Sequence, residues 1–201
     1  MAKTVEPMTS GPVSKRMIFF ALPLLLGNLF QQLYNTVDSL IVGNFLGSSA
    51  LAAVSSSGSL IFMLIGFVSG ISSGAGVVVS RYFGAGDQKG VHRAVHTTAA
   101  FGLAAGGLMT AVGVLLSPQI LEWMGTPESV MAESTTYLQI YFSGSMGFVM
   151  YNVFVGILQA IGDSRHPLYY LIISSVMNLL LDILFIGGGS IPASAERPWL
   201  R

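Results

Sequence analysis

Two aspartates, Asp38 and Asp182, interrupt hydrophobic stretches long enough to cross a bilayer. A carboxylate at membrane depth costs at least about 2.5–3.5 kcal/mol on insertion scales. Such a group is usually kept because it binds an ion, moves a proton or pairs with a neighbour. Asp38 has polar company. Gln31, Asn35 and Asp38 share one helical face, with Tyr34 beside them. Ser174, Asn178 and Asp182 make a second stripe, spaced by four. Tyr141, Ser145, Asn152 and Gln159 make a third on approximately one face.

In lipid, polar faces must turn toward protein or a water-filled cavity, so three stripes imply a shared polar interior. Oxygen ligands from two carboxylates and an amide suit a hard cation and, with a hydroxyl and water, could hold Na⁺; a transition metal would more naturally draw His or Cys. Equally, two nearby carboxylates in a poorly solvated site titrate as a coupled pair and favour keeping a proton. Either chemistry describes an ion-coupled membrane transporter, or part of one. The competing reading is that both aspartates only bond neighbouring helices and fix packing.

The elements that must position these residues are membrane helices. The chain has 201 residues, 52% hydrophobic and only 9% charged, where a soluble protein carries about 25% charged residues. Mean hydropathy is +0.70. Uncharged runs place five helices at about 17–44, 52–80, 93–117, 131–160 and 167–187, each near the roughly 20 residues a span needs. Strands are unlike these runs, since a membrane barrel uses segments of about 10 residues. The expected fold is all-α, a polytopic transmembrane helix bundle. Its expected parts are an N-terminal arm (1–16), a membrane region (17–189) and a polar tail (190–201). The break between the first two helices is expected at Gly47-Ser48-Ser49. A cleaved secretory signal fits poorly, because the first apolar run is long, contains Gln31, Gln32 and Asn35, and shows no clear small-residue cleavage site.

Orientation follows from the loops. Lys3, Lys15 and Arg16 precede the first helix, Arg81, Lys89 and Arg93 lie between the second and third, and Arg165 lies between the fourth and fifth. The 118–133 segment holds only Glu122, Glu128 and Glu133. This asymmetry predicts a multi-pass cell-membrane protein with its N-terminus cytoplasmic.

Gly66, Gly70 and Gly74 make a smooth face where another backbone could pack, and Gly102 and Gly106 repeat the device. Pro23 either bends the first helix or marks its start. His92, His96 and His166 read as scattered interfacial residues that could sense pH. The balanced charge shows no basic patch with interleaved aromatics, so nucleic acid is not an expected partner; membrane lipid is. No cysteine is present, and no HExxH, GxSxG or P-loop pattern appears, so an enzyme is not expected and no cofactor is implied.

Four segments resemble multidrug and toxic compound extrusion (MATE) transporters. They are Asn35-Thr36-Val37-Asp38-Ser39 with Val42-Gly43-Asn44-Phe45-Leu46-Gly47, then Ser80 to Asp87, Gln159 to Pro167, and Asn178-Leu179-Leu180-Leu181-Asp182. Their order and spacing over about 15–189 carry the resemblance. It implies two pseudo-symmetric six-helix lobes in the whole transporter, of which this chain would supply five helices of the first. It implies export of organic cations or drugs in exchange for H⁺ or Na⁺. It also implies a coupling site whose aspartate and Asn–Asp pair map onto Asp38, Asn178 and Asp182, with Na⁺ as one possible occupant. Gln31, Asn35, Tyr34, Ser174, Tyr141 and Asn152 are then expected to line the polar cavity. The chain is under half the family's length, and Ser190 to Arg201 reads like a truncated or frameshifted end. The expectation is therefore an isolated lobe, inactive alone, that needs a missing C-lobe or a homo-oligomer. The alternatives are a non-transporting membrane fragment and a lipid-linked saccharide flippase of the related superfamily. The lack of intramembrane Lys or Arg counts against the flippase.

Overall fold

The computed structural model describes residues 13–41 and 47–187; within these helices the side chains of 13, 16, 38, 41, 47–54, 182, 183 and 185–187 lie outside the described set. Most of the arm, the 42–46 link and the 190–201 tail therefore also lie outside it. Six helices follow in order: α1 Val13–Ile41, α2 Gly47–Gly84, α3 Gln88–Trp123, α4 Glu128–Ser143, α5 Ser145–Ala160 and α6 Arg165–Gly187. The fold is an all-α membrane bundle, as expected.

Three stretches are long and apolar enough to cross a bilayer, Met17–Val37, Ser55–Gly84 and Gln88–Trp123. α4 and α5 are long and apolar enough only when taken together as one segment, bent by 45°. This corrects the single helix expected over 131–160. The break falls at Gly144, flanked by Ser143 and Ser145, the kind of small polar pair at which helices kink. Around it the Gly144 N–H is shared between the carbonyls of Ile140 and Tyr141. The fifth expected span is helical as α6.

The helices run longer than charge gaps alone define. α1 starts at Val13, inside the segment expected to be an arm, and Pro23 lies well within it. The N-terminal-proline reading of Pro23 is thereby excluded. α3 continues through Pro118, which has no N–H to give the carbonyl four residues back. That carbonyl belongs to Val114, and the Gln139 side-chain amide of α4 donates to it at 3.4 Å.

Tight loops join α2 to α3, α3 to α4 and α5 to α6. Each has a left-handed glycine as its second residue: Gly86 and Gly125 at φ 71° and Gly162 at φ 90°. Each loop also shows the paired backbone bonds of a Schellman cap, as in Gly162 N–H to Gln159 O and Asp163 N–H to Leu158 O. Two of the next helices are capped by the residue after the glycine. Asp87 accepts from Gly90 N–H at 2.9 Å, and Asp163 accepts from the N–H groups of Arg165 and His166.

α2, α3, α4 and α5 form one packed group. Its core holds Leu121, Leu138 and Phe142 near one end, and Val68, Val149 and Val153 nearer the other, with Met109 touching both clusters. Large apolar side chains such as Phe62, Leu115 and Trp123 stand on the outside, where lipid replaces water as the neighbour. With lipid as apolar as leucine, close packing by small residues does much of the holding. A Cβ on Gly106 would lie 3.1 Å from the Met146 Cα, and one on Gly113 would strike the Phe142 ring. The expected role of Gly102 and Gly106 is thus observed.

The Gly66, Gly70 and Gly74 stripe is different. Within the described residues nothing lies within 4 Å of a Cβ built at any of the three. The buried side of α2 carries Val68, Ser72, Gly76 and Val79 instead. Two residues along a helix rotate the side chain by about 200°, so the glycine stripe faces away from this group. α1 packs chiefly on α6, and this pair stands beside the α2–α5 group.

Candidate functional site

A cavity of about 880 Å³ separates the α1–α6 pair from α2 and α5. Its walls come from the first half of α1 (Phe20 to Gln31), the second half of α2 (Ile65 to Gly84), most of α5 and the start of α6. It reaches Gly86 and Gly162, so it lies toward the end that carries the two Gly-Asp turns. Polar side chains in its lining include Asn28, Gln31, Ser69, Ser73, Tyr151 and Gln159, and none of the described lining side chains is charged. Phe20, Phe83 and Phe148 supply aromatic surface. The volume is that of a site for a drug-sized molecule. Aromatic faces without a competing fixed cation also suit an organic cation.

The seam between α2 and α5 forms the cavity floor. The Ser72 hydroxyl donates to the Asn152 carbonyl. A Cβ on Gly76 would sit 3.2 Å from the Gly156 carbonyl oxygen. The Asn152 amide donates to Phe148 O at 2.8 Å within its own helix.

The geometry of α1 against α6 sets the backbone levels of Asp38 and Asp182, whose side chains lie outside the described set. With α4 and α5 counted as one span, α1 and α6 are the first and fifth of consecutive spans that reverse direction at each turn, so the two helices run parallel. Gly27 faces Leu168 and Leu171, with a Cβ there 3.6 Å from the Leu171 side chain. Asp38 follows Gly27 by eleven residues, and Asp182 follows Leu171 by eleven. At about 1.5 Å per residue the two backbone positions lie at one level of adjacent helices, about 16 Å further along from that contact. Asn178 is one turn below Asp182, and its Oδ1 is buried with no hydrogen-bond partner among the described residues. A buried acceptor left unpaired costs about 1–3 kcal/mol. Among the described residues no three His, Cys, Asp or Glu side chains group as a metal site.

The sequence pattern of the MatE family matches residues 23–184. The chain belongs to the MatE family. It is 36% identical over 193 residues to the probable multidrug resistance protein YoeA of Bacillus subtilis, covering 93% of this chain and 42% of that protein. It is 34% identical over 180 residues to the probable multidrug resistance protein YpnP of the same organism, covering 89% and 40%. A solved MOP superfamily transporter from Pyrococcus furiosus superposes with a TM-score of 0.81 at 26% identity, covering 88% of this chain and 39% of that one. The MatE chain thus spans about two fifths of the length of the proteins it matches.

Of the expected lining residues, Gln31 and Asn152 border the cavity of this MatE lobe. Tyr34, Asn35, Ser174 and Tyr141 lie outside its lining. Asn35 is exposed, as is Ser174, whose hydroxyl bonds back to Leu171 O at 2.9 Å. Tyr141 packs edge-on near Phe142, away from the cavity, and the Ser145 hydroxyl is paired with Thr110 at 2.9 Å. The missed residues are the α2 serines, Ser69, Ser72, Ser73 and Ser80. Their signal is serine interleaved with glycine along α2: Ser72 stands opposite Gly66, Gly70 and Gly74, and Ser69, Ser73 and Ser80 stand on the flank between the two faces.

Proposed function

We propose that this lobe serves a secondary transporter that exports organic cations or drugs in exchange for H⁺ or Na⁺, with Asp38, Asn178 and Asp182 as the coupling site. The observation that supports the proposal is the parallel pairing of α1 with α6, which brings the backbone positions of residues 38 and 182 to one level, one turn from a buried Asn178 oxygen that has no partner among the described residues. Two carboxylates in poorly solvated surroundings repel each other, and a shared proton or Na⁺ relieves that repulsion. The Asn178 oxygen adds a ligand suited to Na⁺. When the cation leaves, the negative charge that remains favours an organic cation in the neighbouring cavity. Cation occupancy biases how the α1–α6 pair sits against α2 and α5, because the loaded and empty sites differ in charge. The names carried by YoeA and YpnP support drug export as the cargo class.

Alternating access needs two bundles rocking about a central site. This lobe supplies one. The second comes from further chain or another copy, and a lobe without one inserts but does not drive transport. The lack of a basic side chain among the described lining residues favours this reading over a saccharide flippase, whose anionic cargo calls for basic side chains.

The test uses sealed vesicles containing the lobe joined to a second lobe, an imposed H⁺ or Na⁺ gradient and a fluorescent organic cation. Gradient-driven movement is expected, and it is lost in Asp38→Asn/Asp182→Asn protein that still inserts. Undiminished coupling in that double variant refutes the site. Gradient-driven movement by the 201-residue chain alone would show that its own copies provide the second bundle.

A further inference from the structure

We propose that His92 and His96, on the exposed first turns of α3, form a bidentate site for one divalent transition-metal ion of the kind that prefers imidazole. The two residues are one helical turn apart, where side chains of an α-helix stand one above the other. Their Nε2 atoms face each other at 3.0 Å. The ring centroids are 4.1 Å apart and the planes are inclined by 51°. Metal–imidazole bonds of about 2.0–2.1 Å place two cis nitrogens about 2.9–3.4 Å apart, for angles between square and tetrahedral. The observed separation falls inside that range with no change of backbone.

Without an ion, one Nε2–H donates to the other Nε2. An ion takes both lone pairs once the donating ring moves its proton to Nδ1, which is a change of tautomer with no net proton loss. The remaining coordination positions are open to water, because both rings are exposed and no third His, Cys, Asp or Glu joins them among the described residues. Lys89 and Arg93 are neighbours on the same helix and lower the affinity for any cation. The ion expected to bind tightest is therefore Cu²⁺, followed by Ni²⁺ and Zn²⁺, while Mg²⁺ and Ca²⁺ do not compete for nitrogen ligands. The site lies beyond the cavity and does not depend on the coupling residues. A bound ion bridges the first turns of α3 just after the Gly86-Asp87 turn.

The experiment is a Cu²⁺ titration of the tag-free 201-residue chain in detergent, read by electron paramagnetic resonance, with helix content checked by circular dichroism. One equivalent with a two-nitrogen signature is expected. His92→Ala or His96→Ala weakens binding by about tenfold or more, as loss of one arm of a chelate does, and His166→Ala leaves it unchanged. His166 is the useful control because it is already engaged with Asp163. The same two-nitrogen signal in His92→Ala/His96→Ala protein overturns the proposal. So does a folded wild-type chain that shows no nitrogen-ligated copper.

Discussion

Gly156 of α5 lies against Ser72 of α2 so closely that a Cβ on the glycine would come 2.8 Å from the Ser72 carbonyl oxygen, and closer still to its hydroxyl. Backbone opposes backbone there, so no rotamer change relieves the clash. The same seam carries the Ser72 to Asn152 hydrogen bond. One methyl group at this point must therefore push α2 from α5 and widen the cavity floor.

Gly156→Ala is expected to destabilise the lobe by about 1–3 kcal/mol, the usual cost of overpacking. Thermal unfolding in detergent would show a lower midpoint. Gly70→Ala is the matched control, since no described residue lies within 4 Å of a Cβ built at Gly70. An equal loss in both variants would remove the seam from its special place.

Gln139 and Pro118 form a second pair that can be tested by a cycle. Proline leaves the Val114 carbonyl without its helical partner, and the Gln139 amide supplies a replacement. Gln139→Leu is expected to cost about 1–3 kcal/mol in the wild-type background. In a Pro118→Ala background the restored N–H takes over, and the same change should cost less. Equal costs in denaturant unfolding of the two backgrounds would show that the amide does not serve that carbonyl.

Much of this arrangement is legible in the sequence, for stated reasons. Gaps between charges mark helices because lipid excludes charge, and loop Gly-Asp pairs mark turns and caps. The break at Gly144 stays hidden, since 134–162 carries no charge and a kink inside a span leaves no gap. The glycine stripe of α2 misleads for a related reason. Spacing by four identifies a face, but with lipid as the solvent both faces of α2 are apolar. Nothing local says that Ser72 and Gly76 meet protein while Gly70 and Gly74 do not. Asp38, Asn178 and Asp182 stand out because polar groups are expensive at that depth. Their shared level, by contrast, depends on the contact of Gly27 with Leu171, which no spacing predicts.

Orientation can be measured directly because the chain has no cysteine. The loop tips Gly86 and Gly125 are unsuitable positions, since both have φ near 71° and a cysteine there is strained. Exposed Gln88 and Glu128 flank the same two loops. With the N-terminus cytoplasmic, an impermeant thiol reagent labels Glu128→Cys in intact cells and Gln88→Cys only after permeabilisation. The reverse pattern inverts the orientation.

Asn178 separates a coupling role from a packing role. Its buried oxygen has no partner among the described residues, so as a packing residue it weakens the lobe. Asn178→Leu removes that unpaired group and is expected to leave the thermal midpoint unchanged or raise it, by the equivalent of about 1 kcal/mol or more. In the two-lobed transporter the same variant is expected to lose gradient-driven export, because an oxygen ligand at the cation position has been replaced by a methyl-terminated side chain. Gain in stability with loss of coupling is the pattern of a residue retained for function. Asn178→Asp adds a third carboxylate to the site and should shift coupling toward stronger cation retention, visible as slower turnover at high Na⁺ or low pH. If Asn178→Leu unfolds the lobe while export by the surviving fraction is normal, Asn178 is a packing residue and the coupling site must be built without it.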